Sequence, residues 1–133
     1  MSLVPPGINL GSALQLAAWP WVYRVLDAGF QHVRIAGHGP KPTYERASAT
    51  QCAASCAQIL DVGMQPLITV RDAAQCAELP PGTLVEFWNE GDLNGFTKQH
   101  LMDMWHVIDV CDARGLKCYV GASPSGLHYR GFQ

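Results

Sequence analysis

The pattern of apolar and polar residues divides this chain into two kinds of segment. Short runs rich in β-branched and aromatic residues, typical of strands, are separated by longer stretches in which apolar residues recur at helical spacing. The predicted strands are residues 7–10, 32–36, 65–70, 84–88 and 118–120. The turn residues that bound these runs indicate strands rather than pieces of buried helix.

The first two intervals between strands predict helices. Residues 13–28 have an apolar helical face that ends just before Gly29. Ser48 and Gln51 have the spacing of a capping box, which predicts a second helix that continues to Val62. Each of these helices therefore has a recognisable end signal next to a predicted strand.

The later intervals are less regular. A short Ala-rich stretch ahead of Pro80 is only weakly helical. Thr97 is the predicted N-cap of a last helix, in which apolar residues recur at helical spacing up to Gly115. The chain thus predicts about four helices between its five strands.

An internal repeat sets the fold class. Leu26-Asp27-Ala28-Gly29, Leu60-Asp61-Val62-Gly63 and Cys111-Asp112-Ala113-Arg114-Gly115 each end a predicted helix and lead into a strand. Strand, helix and glycine turn in this order form the βα unit of a parallel sheet. An eight-stranded (β/α) barrel takes about 250 residues, so five strands predict part of a TIM barrel, with an open parallel α/β sheet as the alternative. Residues 1–133 are expected to form a single domain.

Composition narrows the classes of partner. The 133 residues are 48% hydrophobic and 15% charged with a net charge of -2, as expected of a soluble globular domain. The nine Lys and Arg residues are scattered singly, so no nucleic-acid partner is expected. No apolar run approaches the roughly 18 residues of a membrane-spanning helix. The N-terminus lacks the pattern of a signal peptide, so a cytoplasmic protein is expected, with secretion left open if a leader precedes Met1.

The cysteines are odd in number and form no CxxC pair. Cys52 and Cys56 lie four apart on a predicted helix, where they could share a metal ion, but the five cysteines supply no second ligand pair at metal-site spacing. They are therefore interpreted as small buried hydrophobes, and no metal or cofactor is expected.

The fourth predicted strand ends in the residues most suggestive of chemistry. Its apolar run changes at Trp88 to Asn89 and Glu90, followed by glycine. In parallel α/β folds the carboxyl ends of strands carry the ligand-binding loops. A carboxylate there, next to an aromatic ring and an amide, is a candidate acid or base.

Two strand motifs carry a family resemblance. Val33-Arg34-Ile35 in the second strand and Phe87-Trp88-Asn89-Glu90 at the end of the fourth resemble the N-terminal half of the retaining (β/α)8-barrel glycoside hydrolases of clan A. The resemblance covers the chain from Gly7 onward. It implies that Glu90 is the general acid/base, that Asn89 binds the 2-hydroxyl of the sugar, and that Arg34 lies near the nucleophile.

The sequence departs from that family in three places. Gly91 replaces the usual Pro after the Asn-Glu pair, and Arg71-Asp72 follow the third strand without the His or Asn often found there. The seventh-strand nucleophile Glu of the family would lie beyond Gln133. The resemblance therefore implies only the acid/base half of the active site.

The physical chemistry of these residues agrees with those roles. Retention needs two carboxyl groups about 5 to 5.5 Å apart, one protonated and one ionised. Trp88 beside Glu90 would raise the pKa of that carboxyl group by desolvation, which suits the acid. Arg34 would keep a nearby nucleophile ionised, or it would pair with Glu86, Asp72 or Glu90 instead.

Three further aromatic residues are candidate substrate contacts, each with a simpler interpretation. Trp88 is a sugar platform or a core residue. His38 and His128 lie in glycine-rich loops, where each contacts substrate or is a surface histidine bonded to the backbone.

Two classes of function remain open from sequence. One is a glycosidase segment that hydrolyses O-glycosidic bonds of a carbohydrate substrate. The other is a non-catalytic half-barrel that binds carbohydrate or serves in assembly. Five strands leave the first and last strand unpaired on one side, which predicts a C-terminal half-barrel partner or self-association and no activity from the isolated chain.

Overall fold

The computed structural model describes residues 7–12, 21–39, 42–87 and 97–120. Those residues form five β-strands, three α-helices and one short 3-10 helix. In chain order the elements are β1 (Gly7–Ser12), α1 (Trp21–Asp27), β2 (His32–Ala36), α2 (Ala49–Asp61), β3 (Gln65–Val70), the 3-10 helix (Ala73–Cys76), β4 (Leu84–Phe87), α3 (Lys98–Ala113) and β5 (Lys117–Val120).

The predicted order of elements is confirmed, with three differences in detail. β1 is two residues longer than predicted, and β5 begins one residue earlier. The weakly helical stretch is a single 3-10 turn rather than a fourth α-helix, because the prolines at 80 and 81 leave too few residues for a longer helix. Residues 13–20 of the first predicted helix and Trp88 of the fourth predicted strand lie outside the described residues.

The five strands form one parallel sheet in the order β1-β2-β3-β4-β5, so each strand lies beside the next one in the chain. Arg34 is in register with Leu67, and Thr69 is in register with Glu86. β1 contains an irregularity between Asn9 and Ser12, where it has one residue more than the facing part of β2. The sheet is the α/β arrangement that the βα repeat predicted.

The helices cover one side of the sheet. Alternate strand residues on that side are fully buried, and they belong to one hydrophobic core with residues of all three helices. The buried strand residues of this covered face are Val33, Ile35, Pro66, Ile68, Val70, Val85 and Phe87. The residues between them, among them Arg34, Leu67, Leu84 and Glu86, lie on the other side, which we call the open face.

The helix-to-strand turns share one hydrogen-bond pattern. After α2, the Gly63 N–H donates to the Leu60 carbonyl at 2.9 Å, and the next N–H reaches the Ile59 carbonyl at 3.1 Å. After α3, the Gly115 N–H donates to the Asp112 carbonyl at 3.1 Å. Both glycines have positive φ, of 83° and 69°, as this C-terminal cap requires. The glycines thus lie at the amino ends of the strands, opposite the predicted site.

Both predicted N-caps are confirmed. The Ser48 hydroxyl accepts the Gln51 N–H at 3.1 Å, and the Gln51 side chain accepts the Ser48 N–H at 2.8 Å. Thr97 caps α3 in the same way, with His100 as its partner. These reciprocal bonds satisfy the first N–H groups of each helix, which have no partner within the helix.

The cysteines are mostly core residues. Four of the five are buried and free, whereas Cys118 is only partly buried, so the prediction of buried hydrophobes is wrong for that residue.

Among the described residues, no group of three or more His, Cys, Asp or Glu side chains is placed to hold a metal ion. No helix in the described ranges has both the length and the apolar character needed to cross a membrane.

Candidate functional site

Arg34 lies in the middle of β2 on the open face and is bound to a carboxylate. Its Nη2 donates to Glu86 Oε1 at 2.7 Å, across the intervening strand β3. The Arg34 side chain is 26% exposed and that of Glu86 is 13% exposed. Of the two possible partners that the structure describes, Glu86 and Asp72, it is Glu86 that binds Arg34.

Thr69 lies on β3, the strand between the two that carry these charged residues. It is in register with Ala36 on one side and Glu86 on the other, and it is 7% exposed. Within the described ranges its hydroxyl oxygen has no hydrogen-bond partner. A buried hydroxyl of this kind can bind a polar ligand group, because leaving it unpaired costs free energy.

His38 follows β2 at its carboxyl end, as predicted. Its Nδ1 lies 2.7 Å from the Gly39 carbonyl oxygen, which can only accept, so Nδ1 carries the proton. In the neutral ring Nε2 is then left as an acceptor. His38 is thus a backbone-bonded histidine that still has one nitrogen able to accept a hydrogen bond.

The remaining predicted site residues are Trp88, Asn89, Glu90 and His128, and all four lie outside the described residues. β4 ends at Phe87, and the Trp88–Glu90 sequence follows it in the chain. The roles assigned to them from sequence stay predictions.

A second polar group lies at the carboxyl ends of β2 and β3. Arg46 Nη1 donates to Asp72 Oδ2 at 2.5 Å. Asp72 therefore pairs with Arg46 and not with Arg34, which excludes one of the pairings left open from sequence. Its other oxygen, Oδ1, accepts the Gln75 N–H at 3.1 Å and caps the 3-10 helix.

Tyr44 connects this group to His38. The two rings meet edge to face with centroids 5.3 Å apart, and the Arg71 guanidinium lies 5.9 Å from the centre of the Tyr44 ring. Tyr44 has φ of 45°, an unfavourable value for a bulky residue that costs about 1 to 3 kcal/mol. The surrounding contacts hold it there. We call His38, Tyr44, Arg46, Arg71 and Asp72 the rim cluster.

Gln75 fixes the backbone beneath the rim cluster. This buried side chain donates to the carbonyls of Gly37 at 2.6 Å and Ala47 at 3.0 Å, and it accepts the Arg71 N–H at 2.8 Å. A Cβ at Gly37 would lie 2.9 Å from the Thr69 carbonyl oxygen and 3.1 Å from the Gln75 amide nitrogen. The two ends of the β2–α2 loop and the end of β3 are thereby tied at one point.

The rim cluster and the Arg34–Glu86 pair lie toward the same side of the sheet. His38 is the next position of the same alternation after Arg34 and Ala36, and Arg71 follows Thr69 in the same way. A hydrogen bond of 2.8 Å from the Gly37 N–H to the Thr69 carbonyl continues the pairing of β2 and β3 to this point. The open face therefore continues into the rim cluster at the carboxyl ends of β2 and β3.

Sequence reasoning missed most of the rim cluster. Arg71 and Asp72 follow β3 directly, so the rule that singled out Asn89 and Glu90 after the fourth strand applied equally to them. Tyr44 and Arg46 gave no comparable signal, because they lie in the middle of a loop whose path is set by Gln75, about 30 residues later.

A cavity of about 280 Å³ also opens on this part of the sheet, toward the amino ends of the strands. Its lining includes Asn9, Arg34, Leu67 and Leu84.

No protein-family model, curated protein or solved structure matches this chain.

Proposed function

We propose that this chain is part of a (β/α) barrel glycoside hydrolase that cleaves O-glycosidic bonds with retention. Glu90 is the general acid/base, and Asn89 binds the sugar 2-hydroxyl. Arg34 supplies positive charge beside the nucleophile. Further substrate contacts come from Trp88, His38 and His128.

The observation that carries this proposal is the sequential order of the five parallel strands, with the helices of the described residues all on one face. A doubly wound open sheet reverses its strand order and carries helices on both faces. Sequential order with single-sided helices is the geometry of a barrel wall, whose inner surface is the open face. This supports the barrel over the open-sheet alternative.

The open face also has the polar character expected of a barrel interior near an active site. Arg34 and Glu86 form a mostly buried ion pair on it, and the Thr69 hydroxyl, which has no hydrogen-bond partner among the described residues, lies on the strand between them. In the proposed enzyme Glu86 orients the Arg34 guanidinium, which has five donors and keeps others available for a second carboxylate. Arg34 lowers the pKa of that carboxylate and keeps it ionised for attack on the anomeric carbon.

The reaction then needs one proton donor at the leaving oxygen. The carboxyl group of Glu90 protonates that oxygen as the glycosidic bond breaks, and the nucleophile forms a covalent glycosyl intermediate. Glu90 next removes a proton from the water that hydrolyses this intermediate. The nucleophile is assigned to a strand-end Glu of the C-terminal half-barrel, which would also cover the open face and pair the edges of β1 and β5.

The test is a kinetic comparison of Glu90→Gln with the unchanged protein. The reading frame is first followed past the codon for Gln133, and the longest encoded polypeptide is assayed on aryl glycosides of graded leaving-group pKa. Glu90→Gln should lower kcat by roughly two to four powers of ten for poor leaving groups, and less for good ones.

Glu78→Gln is the matched control, because Glu78 is exposed and bonded only to Thr50 within the described ranges. It should leave kcat unchanged. An equal loss with every leaving group in Glu90→Gln would remove the acid role from Glu90. Inversion of configuration at the anomeric carbon would reject the retaining mechanism.

The non-catalytic alternative is favoured by one feature of the described sheet. Tyr119 on β5 is 51% exposed, which leaves an aromatic ring on the surface at the edge of the sheet. Exposed aromatic rings of this kind bind sugars or partner proteins. Saturable binding of neutral oligosaccharides without turnover, abolished by Tyr119→Ala, would identify a carbohydrate-binding half-barrel instead.

A further inference from the structure

One face of α3 carries apolar side chains on the surface of the protein. Trp105 is 59% exposed and Met102 is 45% exposed, and the neighbouring Leu101 and Ile108 are only partly buried. At 3.6 residues per turn these four side chains fall on one strip along the helix, which we call the α3 strip. Its centre, at Trp105, lies roughly 130° around the helix from the buried residues that pack on the sheet, so the strip faces away from the sheet.

Opposite charges lie at the two ends of the α3 strip. Lys98 is the first residue of the helix, and Asp109 and Asp112 lie near its end. All three are exposed, and none of them makes an ion pair or a side-chain hydrogen bond in the described part of the chain. Lys98 and Asp112 also oppose the helix dipole, which favours anions at the amino end of a helix and cations at its carboxyl end. These charges therefore do not stabilise α3 within a single chain.

The residues of this face are self-complementary when two copies of α3 run antiparallel. Trp105 is seven residues from Lys98 and seven from Asp112, so a two-fold axis through Trp105 places each lysine beside the aspartate of the second copy. The same axis places Met102 beside Ile108 of the second copy, because each lies three residues from Trp105. A parallel pair of helices would instead bring like charges together at both ends, which is unfavourable.

We propose that the α3 strip is the interface through which two copies of this chain form an antiparallel dimer with two-fold symmetry. The two Trp105 rings form its apolar centre, and a pair of Lys98 with Asp112 closes it at each end. Each pair places an anion near the amino end of one helix and a cation near the carboxyl end of the other, as the dipoles favour. One helix face per chain makes a small interface, so we expect a dissociation constant of roughly 1 to 100 μM. The inference goes beyond the proposed function and does not depend on it, because neither Glu90 nor substrate takes part.

The test is sedimentation velocity of the full chain at concentrations from about 1 to 500 μM, which span the expected dissociation constant. The sedimentation coefficient should rise with concentration to that of a dimer. Trp105→Ala should weaken dimerisation by at least roughly a hundredfold, because it removes a central tryptophan from both chains at once. Tyr23→Ala is the matched control, because Tyr23 is also 59% exposed but lies on α1. It should leave the dissociation constant unchanged.

Charge reversal tests the antiparallel arrangement. Lys98→Asp should weaken dimerisation by roughly tenfold or more, because two carboxylates then meet at each end of the interface. Adding Asp112→Lys to the same chain restores opposite charges at both ends and should recover most of the lost affinity. Each single reversal agrees better with the helix dipole than the natural residue does, so α3 should stay folded, which far-UV circular dichroism verifies.

A chain that stays monomeric at every concentration would overturn the proposal. So would a dimer that Trp105→Ala leaves intact, or one that Tyr23→Ala weakens equally, because the contact would then lie elsewhere on the molecule. A loss in Lys98→Asp that the double reversal does not recover would also reject the antiparallel pair. Dimerisation and glycosidase activity are measured with different variants, so failure of one leaves the other standing.

Discussion

Replacing Gln75 with methionine should destabilise the protein substantially. The Gln75 side chain is 3% exposed, and its amide makes three hydrogen bonds to main-chain groups that tie the β2–α2 loop to the end of β3. Methionine has a similar length and volume, so the change removes the hydrogen bonds while leaving almost no cavity. The free energy of unfolding then reports mainly on the lost hydrogen bonds.

The size of the destabilisation depends on which hydrogen bonds each partner of Gln75 keeps after the substitution. The partly buried Arg71 N–H loses its acceptor, which costs at the lower end of the roughly 1 to 3 kcal/mol of an unsatisfied buried donor. The Gly37 carbonyl still accepts the Ala47 N–H at 2.9 Å, so its loss is the net worth of one bond, about 0.5 to 1.5 kcal/mol. Among the described residues, the Ala47 carbonyl keeps only a weak contact with the Cys52 thiol at 4.0 Å. With some gain from the more apolar side chain, the total is about 2 to 4 kcal/mol.

Urea denaturation followed by circular dichroism measures this difference. Gln99→Met is the control, because Gln99 lies exposed on α3 and bonds only to Asp103 in the described part of the chain. That variant should change the free energy of unfolding by less than about 0.5 kcal/mol. A Gln75→Met variant that loses less than about 1 kcal/mol would refute the assignment of Gln75 as the residue that fixes the rim.

Three other perturbations have definite expected outcomes. The first is a double-mutant cycle of Arg34→Met and Glu86→Leu, measured by denaturation. The coupling energy between the two residues should be about 1 to 2 kcal/mol. Additive effects of the two substitutions would mean that their ion pair of 2.7 Å contributes nothing to stability. Arg114→Ala should lower the free energy of unfolding by about 2 to 3 kcal/mol, because the Arg114 guanidinium donates to two main-chain carbonyls at 2.6 and 2.8 Å. A melting temperature equal to that of the unchanged protein would contradict this. Burial is the main reason that the pKa of Cys52 is raised to about 11 and that of Cys56 to about 12, above their ordinary value of 9.0. The stability that these neutral buried thiols contribute is therefore complete below pH 9.0. It is lost as the pH rises toward 11 and above, by up to about 1.4 kcal/mol per pH unit for each thiol. Replacing both with alanine should remove this alkaline loss, and an unchanged pH profile would show that the thiols do not titrate in the folded protein.

Local interactions explain why the elements of this fold were predictable from sequence. A capping box such as that of Ser48 and Gln51 forms within four residues, and a glycine C-cap such as Gly63 forms within five. The strands were visible as apolar runs because their alternate residues enter the core. The βα repeat then predicted parallel strands, since a helix between two strands returns the chain to the same end of the sheet. In the described part of the chain, the differences are the lengths of β1 and β5, the ends of α1 and α2 by one residue each, and the 3-10 turn before Pro80.

The partners of the charged residues were decided by the tertiary structure. Arg34 had three carboxylates open to it from sequence, and the strand register brings it to Glu86, 52 residues away, while Asp72 pairs with Arg46. Tyr44 adopts a positive φ that nothing in its neighbouring residues requires, because loop contacts made by buried Gln75 and by His38 hold it there. Residue types and spacing determine where strands and helices begin and end, because those choices depend on neighbours in the chain. Which side chains meet at the carboxyl ends of β2 and β3 depends on how those strands lie beside each other, and only the packed sheet fixes that.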